Sequence, residues 1–442
     1  MALPDKPRQK TLEILRRAEE GAFADPLLEQ ERPGFNALDN AFILELVYGT
    51  LRNQALLDWT LNQFSAQPVD KTDAWTRNIL RLGAYQILFL DRVPVSAAVN
   101  TSTELAKRLG KKPGYVNGLL RNLDRKKGSI TYPEADDPIK RLSVLYSHPD
   151  WLVRRWVEKF GVETAETLLR ANNRHAPLIL RTNTLKTTRE ELKASLESRG
   201  VTAGETTYSP VGLEINRSPG IGTLPAYQEG LFMVQDQAAQ LISMMLAPRP
   251  GERVLDACAA PGGKATHLAE MMGNKGMIVA LESAPARIEK IRENSLRLGT
   301  TIISPVLGDA ARYREGTFDK VLVDAPCSGL GVLRRHPDGR WNKTERSPKD
   351  RQTLQKKILE NCAGLLKPGG ALVYATCSTE PEENEDVIAD FLAKHPEFAL
   401  DDPRPFLPAS AARLVDAKGF FSTFPMEPEM DGFFGVRMVK KW

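Results

Sequence analysis

Apolar residues recur at helical spacing through the first 130 or so positions. TLEILRRAEE, FILELVYGTLRNQALLDWTLNQF, WTRNILRLGAYQILFL and SAAVNTSTELAKRLG each present one apolar face, and strand-like alternation is absent. Pro94 falls between two of these helices and Pro113 follows the last, as breakers should. The pattern predicts an all-helical domain over residues 1–135. TYPEADDPIKR, at 131–141, is polar, carries two prolines and reads as a linker. Residues 142–232 mix types. HPDWLVRRWVEKFG, ETAETLLRANN and REELKASLESRG read as helices, while LILRTNT and GLEINR read as short strands. A small α+β module is expected there.

From about residue 233 the pattern changes. The short apolar runs RVLDACAA, GMIVALES, IISPVLGD, DKVLVDAP and GALVYATCS are bounded by Gly, Pro or Asp. Helical stretches such as ARIEKIRENSLRLG and TLQKKILENCAGLL alternate with them. Strand–helix alternation predicts a parallel, doubly wound, Rossmann-like α/β domain over 233–442, with GFFGVRMVKK adding one more strand. The chain is therefore expected to be multidomain: all-α, then small α+β, then α/β.

Composition refines this only locally. With 42% hydrophobic residues a sizeable core is possible, and a net charge of +4 is too weak by itself to indicate nucleic acid. Between Glu104 and Lys127, however, eight Lys or Arg face two acids, which suits phosphates as well as it suits a solvated helical face. Cys258, Cys327, Cys362 and Cys377 form no CxxC pair, so a zinc site is not expected, and no metal is assigned. No apolar run is long enough to span a membrane and the N-terminus lacks an apolar signal core, so a cytoplasmic protein with free thiols is the expectation.

Ligands of open α/β sheets lie at the carboxyl ends of the strands. The first strand runs into DACAAPGGKATHL, where Cys258, Ala259, Ala260, Pro261, Gly262, Gly263 and Lys264 let backbone approach a ligand just before a helix N-terminus. A phosphate-binding GxxxxGK[ST] loop would need Gly at 258 and Ser or Thr at 265, where Cys258 and Ala265 stand, and GxGxxG is absent too. The second strand ends at Glu282, nineteen residues after Gly263, where an acid can accept from both hydroxyls of a ribose. The third ends at Asp309, which can take an adenine amine. Each acid alone could be a helix cap. Together they suit an adenosine ligand without polyphosphate.

The fourth and fifth strands end in DAPCSG and ATCSTEPEEN. Cys327 and Cys377 therefore lie in turns facing one crevice, whereas Cys362 on its helix reads as an inert core thiol and Cys258 as a small packing residue. Carbon 5 of cytosine is too poor a nucleophile to attack a methyl sulfonium, but a thiolate adding at carbon 6 makes the ring an enamine that can. Such chemistry also needs an acid at the base edge, which Asp324 supplies. An aromatic in place of Cys327 would have suited methylation of an exocyclic amine instead. Chemistry alone does not rank the two thiols.

DACAAPGGK, VDAPCSGLGVLRRHPD, YATCS with PEEN, and DGFF are similar to the 5-methylcytosine RNA methyltransferases of the RsmB (Fmu/Sun) and NOP group. The helical GTLRNQALLDWTL, ILRLGAYQILFLDRVPVSAAVNTSTELAKR and GYVNGLLRNL resemble a NusB-type RNA-binding domain, so the likeness spans nearly the whole chain. It implies a class I methyltransferase domain using S-adenosylmethionine, with Cys377 as nucleophile and Cys327 linked to proton removal or product release. It maps cofactor contacts to Cys258–Lys264, Glu282, Asp309 and Asp324. It further implies 16S rRNA, free or in early assembly, as the partner of a monomeric enzyme, and cytosine 967 in the usual bacterial numbering as the target. Glu282 departs from the commoner Asp, and Gly339-Arg340 from an apolar–Lys pair.

The loop LRRHPDGRWNK, soon after Cys327, offers Arg334, Arg335, His336, Arg340, Trp341 and Lys343. Cations beside an aromatic can grip backbone and stack an extruded base, though an ordinary solvated loop would look the same. The rival readings are a related enzyme acting at another rRNA or tRNA site and a non-catalytic ribosome-assembly RNA binder. A nicotinamide dehydrogenase is disfavoured by the missing glycine fingerprint.

Overall fold

A computed structural model describes residues 5–31, 34–134, 136–216, 220–426 and 430–442; Ala135 of the expected linker and Arg217 of GLEINR lie outside them. The chain divides into two compact units, Met1–Arg174 with Leu333–Glu345, and His175–Val332 with Arg346–Trp442. The division falls inside the segment expected to form one α+β module.

The first unit is helical. Lys6–Glu19, Ala37–Arg52, Ala74–Phe89, Val95–Arg108 and Pro113–Lys126 bury Leu15, Leu46, Leu82, Leu105 and Leu120 in one core. Side-chain caps open three of these five helices: Asp5, Asn36 and Asp73 accept from the amides of Arg8, Asp39 and Thr76. The long run read as one helix from Phe42 to Phe64 breaks at Asn53, and Gln54–Phe64 starts anew. Pro113 and Pro138 each open a helix, Pro113–Lys126 and Pro138–Tyr146, because their fixed φ and missing N–H suit a first turn. The last four residues of the expected linker, 138–141, are therefore helix. Gly49 lets the Tyr85 ring approach, since a β-carbon there would stand 2.0 Å from that ring.

The second unit holds two sheets. Strands β1 (Leu178–Thr182), β2 (Ala203–Glu205), β3 (Gly212–Ile215) and β4 (Phe232–Val234) form an antiparallel sheet in the order β2-β3-β1-β4. β2 and β4, three residues each, carry too short an alternation to be read from sequence. Strands β5 (Arg253–Asp256), β6 (Met277–Glu282), β7 (Ile303–Leu307), β8 (Phe318–Asp324) and β9 (Leu366–Thr376) run parallel in the order β7-β6-β5-β8-β9. Alternate residues of these strands enter opposite cores: Val254, Ile278, Leu322 and Val373 on one face, Leu255, Val279, Val321 and Leu372 on the other. Burial on both faces explains their continuous apolar runs.

The sheet departs from the wholly parallel expectation at one edge. β10 (Phe398–Leu400), β11 (Phe420–Ser422) and β12 (Phe434–Lys440) all join antiparallel, with β12 against β9. The helix Glu385–Lys394 leads from β9 to β10, and from β10 the chain reaches β12 through 3-10 turns, loops and β11, with no long helix among the described residues to carry it back across the sheet to the start of a parallel strand. Among the described residues no helix is long and apolar enough to cross a membrane.

Candidate active site

Because β5, β6, β8 and β9 are parallel, Asp256, Glu282, Asp324 and Cys377 reach the same edge of the sheet. After β5 the chain turns through Ala257–Pro261, and Gly262 (φ +98°) swings it into the helix Gly263–Met271. A side chain at 262 would be strained by that left-handed φ. A cavity of about 150 Å³ opens against this turn, lined by Cys258–Pro261, Gly263, Lys264 and Asp324. Residues the sequence reading passed over line it too: Met233, Val234 and Gln235 at the end of β4, and Asp256. The β4 residues lack any motif, but a lone acid ending a buried apolar strand was a usable signal for Asp256.

Asp256 is fully buried, and neither carboxylate oxygen meets a donor at full hydrogen-bond geometry among the described residues. Burial, then the charge of Asp324, push its pKa up to about 7, against a smaller opposing pull from Lys264 and the nearby Cys258 and Ala265 amides. Lys264 Nζ donates to Asp324 Oδ2 at 2.6 Å and lies 5.5 Å from the centre of the Phe433 ring. Burial disfavours the lysine charge, but Asp324 and then Asp256 outweigh it and hold the ammonium above the ordinary range. Cys377 lies close enough to add to the same effect on Lys264.

Glu282 is buried and Asp309 is not. Glu282 accepts from the Ala284 amide at 2.9 Å and approaches Arg287 at 3.5 Å, while Asp309 accepts from the Ala311 amide at 2.9 Å. The Gly308 amide donates to the Glu282 carbonyl at 2.9 Å, so the two acids stand at neighbouring strand ends. Neither lines the 150 Å³ cavity; Asp309 borders a separate, open groove with Arg312 and Lys357.

Register brings the thiols together. Asp324 of β8 stands opposite Ala375 of β9, and a few residues beyond each, Cys327 Sγ and Cys377 Sγ are 3.1 Å apart. The hydrogen bond with Cys377, then burial, hold the Cys327 thiol well above the ordinary thiol range. Cys362 is buried on the helix Ser347–Gly364, and burial raises it to about 12; burial likewise raises Cys258. Those two thiols keep their protons and are poor nucleophiles.

The arginine-rich loop departs from its expected place. Leu333–Glu345 belongs to the helical unit, and Arg334 and Arg340 are buried in it. Arg340 donates to the carbonyls of Ser147 (3.0 Å) and Asn172 (3.2 Å) and to Asn173 Oδ1 (2.8 Å). Trp341 Nε1 donates to the Leu51 carbonyl at 2.8 Å, His336 pairs with Asp25, and Lys343 Nζ lies 5.1 Å from the centre of the Phe23 ring. Arg335 is half-buried. These donors of Arg340 are thus turned to backbone carbonyls and the Asn173 side chain, not to a phosphate. The basic stretch of the helices Val95–Arg108 and Pro113–Lys126, by contrast, stays largely exposed, with Lys111 paired to Asp73.

S-adenosylmethionine fits this arrangement. It is a cation at sulfur and at its ammonium, and the edge presents the acids Asp256, Glu282 and Asp324 against Lys264, already engaged by Asp324, and the exposed Arg287 beside Glu282. The unpaired oxygens of Asp256 suit a cationic group, the Gly262–Gly263 turn admits close backbone approach, and Glu282 is placed for a ribose. Among the described residues no group of three His, Cys, Asp or Glu is placed to hold a metal ion. Sheet, turn and strand-end acids together define a Rossmann-like methyltransferase domain.

Comparison with known proteins specifies it further. Residues 243–439 match the family "16S rRNA methyltransferase RsmB/F", residues 5–125 the NusB family, and residues 148–221 a "Methyltr_RsmF/B-like, ferredoxin-like domain". The chain is 36% identical to a "Probable ribosomal RNA small subunit methyltransferase B" of Bacillus subtilis, over 98% of each chain. It is 35% identical to the ribosomal RNA small subunit methyltransferase B of Salmonella paratyphi B, over 91% of each. The crystal structure of PH0851 aligns over 100% of both chains with a TM-score of 0.82 at 30% identity. The chain belongs to the 16S rRNA methyltransferase RsmB/F family, whose members are S-adenosylmethionine-dependent RNA methyltransferases.

Proposed function

We propose that the protein methylates carbon 5 of a cytosine in 16S rRNA through a covalent adduct of Cys377, at the nucleotide numbered 967 in the usual bacterial scheme. The observation that carries the reading is the pair of thiols 3.1 Å apart beside the cofactor turn. One thiol of such a pair attacks while the other manages a proton. Cys327, held protonated by Cys377 and by burial, serves as the donor partner, and Lys264 lends positive charge near Cys377.

In this reading the Cys377 thiolate bonds to carbon 6, and the electron pair released to carbon 5 takes the methyl. S-adenosylmethionine supplies that methyl as an electrophilic sulfonium. Asp324, steadied by Lys264, holds the ring nitrogen and amine. Loss of the carbon-5 proton to a base then expels the Cys377 thiolate and restores the ring double bond. The Cys327–Cys377 pair governs that last step. Small-subunit RNA is gripped by the exposed cations of 107–127 in the NusB-like region. The free thiols and RNA substrate fit a cytoplasmic enzyme.

Bisulfite sequencing after incubation with deproteinised small-subunit rRNA tests the reading. One newly protected cytosine at the proposed position is the expected result. Protection elsewhere, or in tRNA only, rejects the substrate, and no protection with methyl transfer intact rejects carbon 5.

A further inference from the structure

Beneath the two thiols lies a carboxylate that the chemistry above does not use. Glu383 sits in the single turn Pro381–Glu383 after β9 and is fully buried. Its Oε1 accepts from the Ser328 amide at 2.7 Å and from Gln355 Nε2 at 3.1 Å. Its Oε2 accepts from the Ser378 hydroxyl at 2.5 Å and from the Ser328 hydroxyl. Ser328 follows Cys327 and Ser378 follows Cys377, so one carboxylate holds both cysteine turns by their next residues. The turn is itself anchored: Tyr374 donates its hydroxyl to the Glu383 carbonyl at 2.7 Å, and Asn384 Nδ2 donates to the Ser378 carbonyl at 2.9 Å.

Burying a carboxylate is costly unless donors surround it, and here four do. Burial still raises the Glu383 pKa. A serine in each turn would be satisfied more cheaply by backbone or water, so the arrangement asks for a reason. What it accomplishes is geometric. The turns belong to neighbouring strands; past the last ladder pair, Asp324 with Ala375, the Gly331 amide donates to the Cys377 carbonyl at 3.0 Å and the Ser328 and Ser378 hydroxyls lie 3.3 Å apart, and Glu383 joins both serines at once.

We infer that Glu383 is a positioning residue that clamps the Cys327–Ser328 and Cys377–Ser378 turns together and so sets the distance between the two thiols. The inference rests on the reading that both thiols act on the base, but thiol spacing can be measured without any methylation.

The experiment compares full-length protein with Glu383→Ala, Glu383→Gln and Ser378→Ala. Diamide removes one hydrogen from each thiol and leaves a Cys327–Cys377 disulfide, itself becoming the reduced hydrazine; peptide mass reports the rate. Displacing reacting groups by an ångström can cost about a hundredfold. In Glu383→Ala the cross-linking rate is accordingly expected to fall by about tenfold, and single-turnover methylation by about a hundredfold, with S-adenosylmethionine and RNA affinities within about twofold. Glu383→Gln, equal in volume and retaining one acceptor, should recover part of both rates, and Ser378→Ala, which removes one arm, should lose less. Should Glu383→Ala fail to fold, the other two variants carry the test. Cross-linking at the unmodified rate in folded Glu383→Gln and Ser378→Ala overturns the clamp. Slower cross-linking in Glu383→Gln and Ser378→Ala, together with undiminished methylation by a separate Cys377→Ala variant, would reject the nucleophile assignment and leave the clamp standing.

Discussion

Two stretches follow strand β8 within a few residues of each other. The turn carrying Cys327 and Ser328 stays at the sheet edge, where its neighbours are Cys377, Ser378 and Glu383. The stretch from Leu333 to Glu345 belongs to the helical unit, with Arg334 and Arg340 inside it. In sequence both look like parts of a site: one holds a thiol beside a proline, the other six cationic or aromatic residues in ten. The difference lies in what specifies each. A thiol at a strand end has few structural uses. An arginine has many, because its five donors can satisfy several backbone carbonyls at once as readily as a phosphate.

The sharpest way to break the comparison is at the turn. Cys377→Ala is expected to lower methylation at least about a thousandfold, because the attacking thiol is gone and Cys327, kept protonated by burial, replaces it poorly. Cys327→Ala should instead retain attack and accumulate a covalent RNA adduct that resists denaturing gels. An adduct with Cys377→Ala in place of Cys327→Ala would exchange the two roles.

What could be read ahead of the structure follows the same division. The parallel strands were legible because burial on both faces leaves uninterrupted apolar runs such as VLVDA. The strand-end position of Cys377 followed from that reading. Asp256 was hidden in plain view, since the glycines after it drew attention to backbone and away from the last residue of the strand. Glu383 was visible only as part of PEEN, and its link to Ser328 crosses between strands, which no local pattern encodes. The antiparallel edge was missed because a strand's direction depends on how its connection runs. Arg340 misled for a physical reason: a charge fully buried but hydrogen-bonded to Ser147, Asn172 and Asn173 is indistinguishable, one residue at a time, from a solvated one.

A second substitution sharpens the contrast from the loop side. Arg340→Ala leaves the Ser147 and Asn172 carbonyls and Asn173 without a donor in a buried setting, which should cost about 3 kcal/mol. The loss would show as a lower midpoint in urea. The salt dependence of RNA binding by the folded fraction should not change, since that slope counts phosphate contacts. A shallower salt slope with an unmoved urea midpoint would return the loop to the RNA-binding surface and erase the distinction drawn between the two stretches.

The smallest expected effect concerns Asp256, and its sign can be worked out. Its pKa is raised from 3.8 to about 7 in the folded protein, by burial first and by Asp324 second. The folded state therefore binds this proton more tightly than the unfolded chain. Its contribution to stability is complete below about pH 4 and is lost as pH rises through 7. Binding of the cationic cofactor has the opposite sign, because a positive group beside Asp256 favours the ionised carboxylate. Affinity for S-adenosylmethionine should then rise by about tenfold between pH 6 and 8, the change that one group titrating through that window can supply. Calorimetry across that range measures it, and Asp256→Asn should flatten the profile while leaving the Cys327–Cys377 pair intact. An equally steep profile in Asp256→Asn would move the titrating group elsewhere and would leave Asp256 as a buried acid whose unpaired oxygens serve no cofactor.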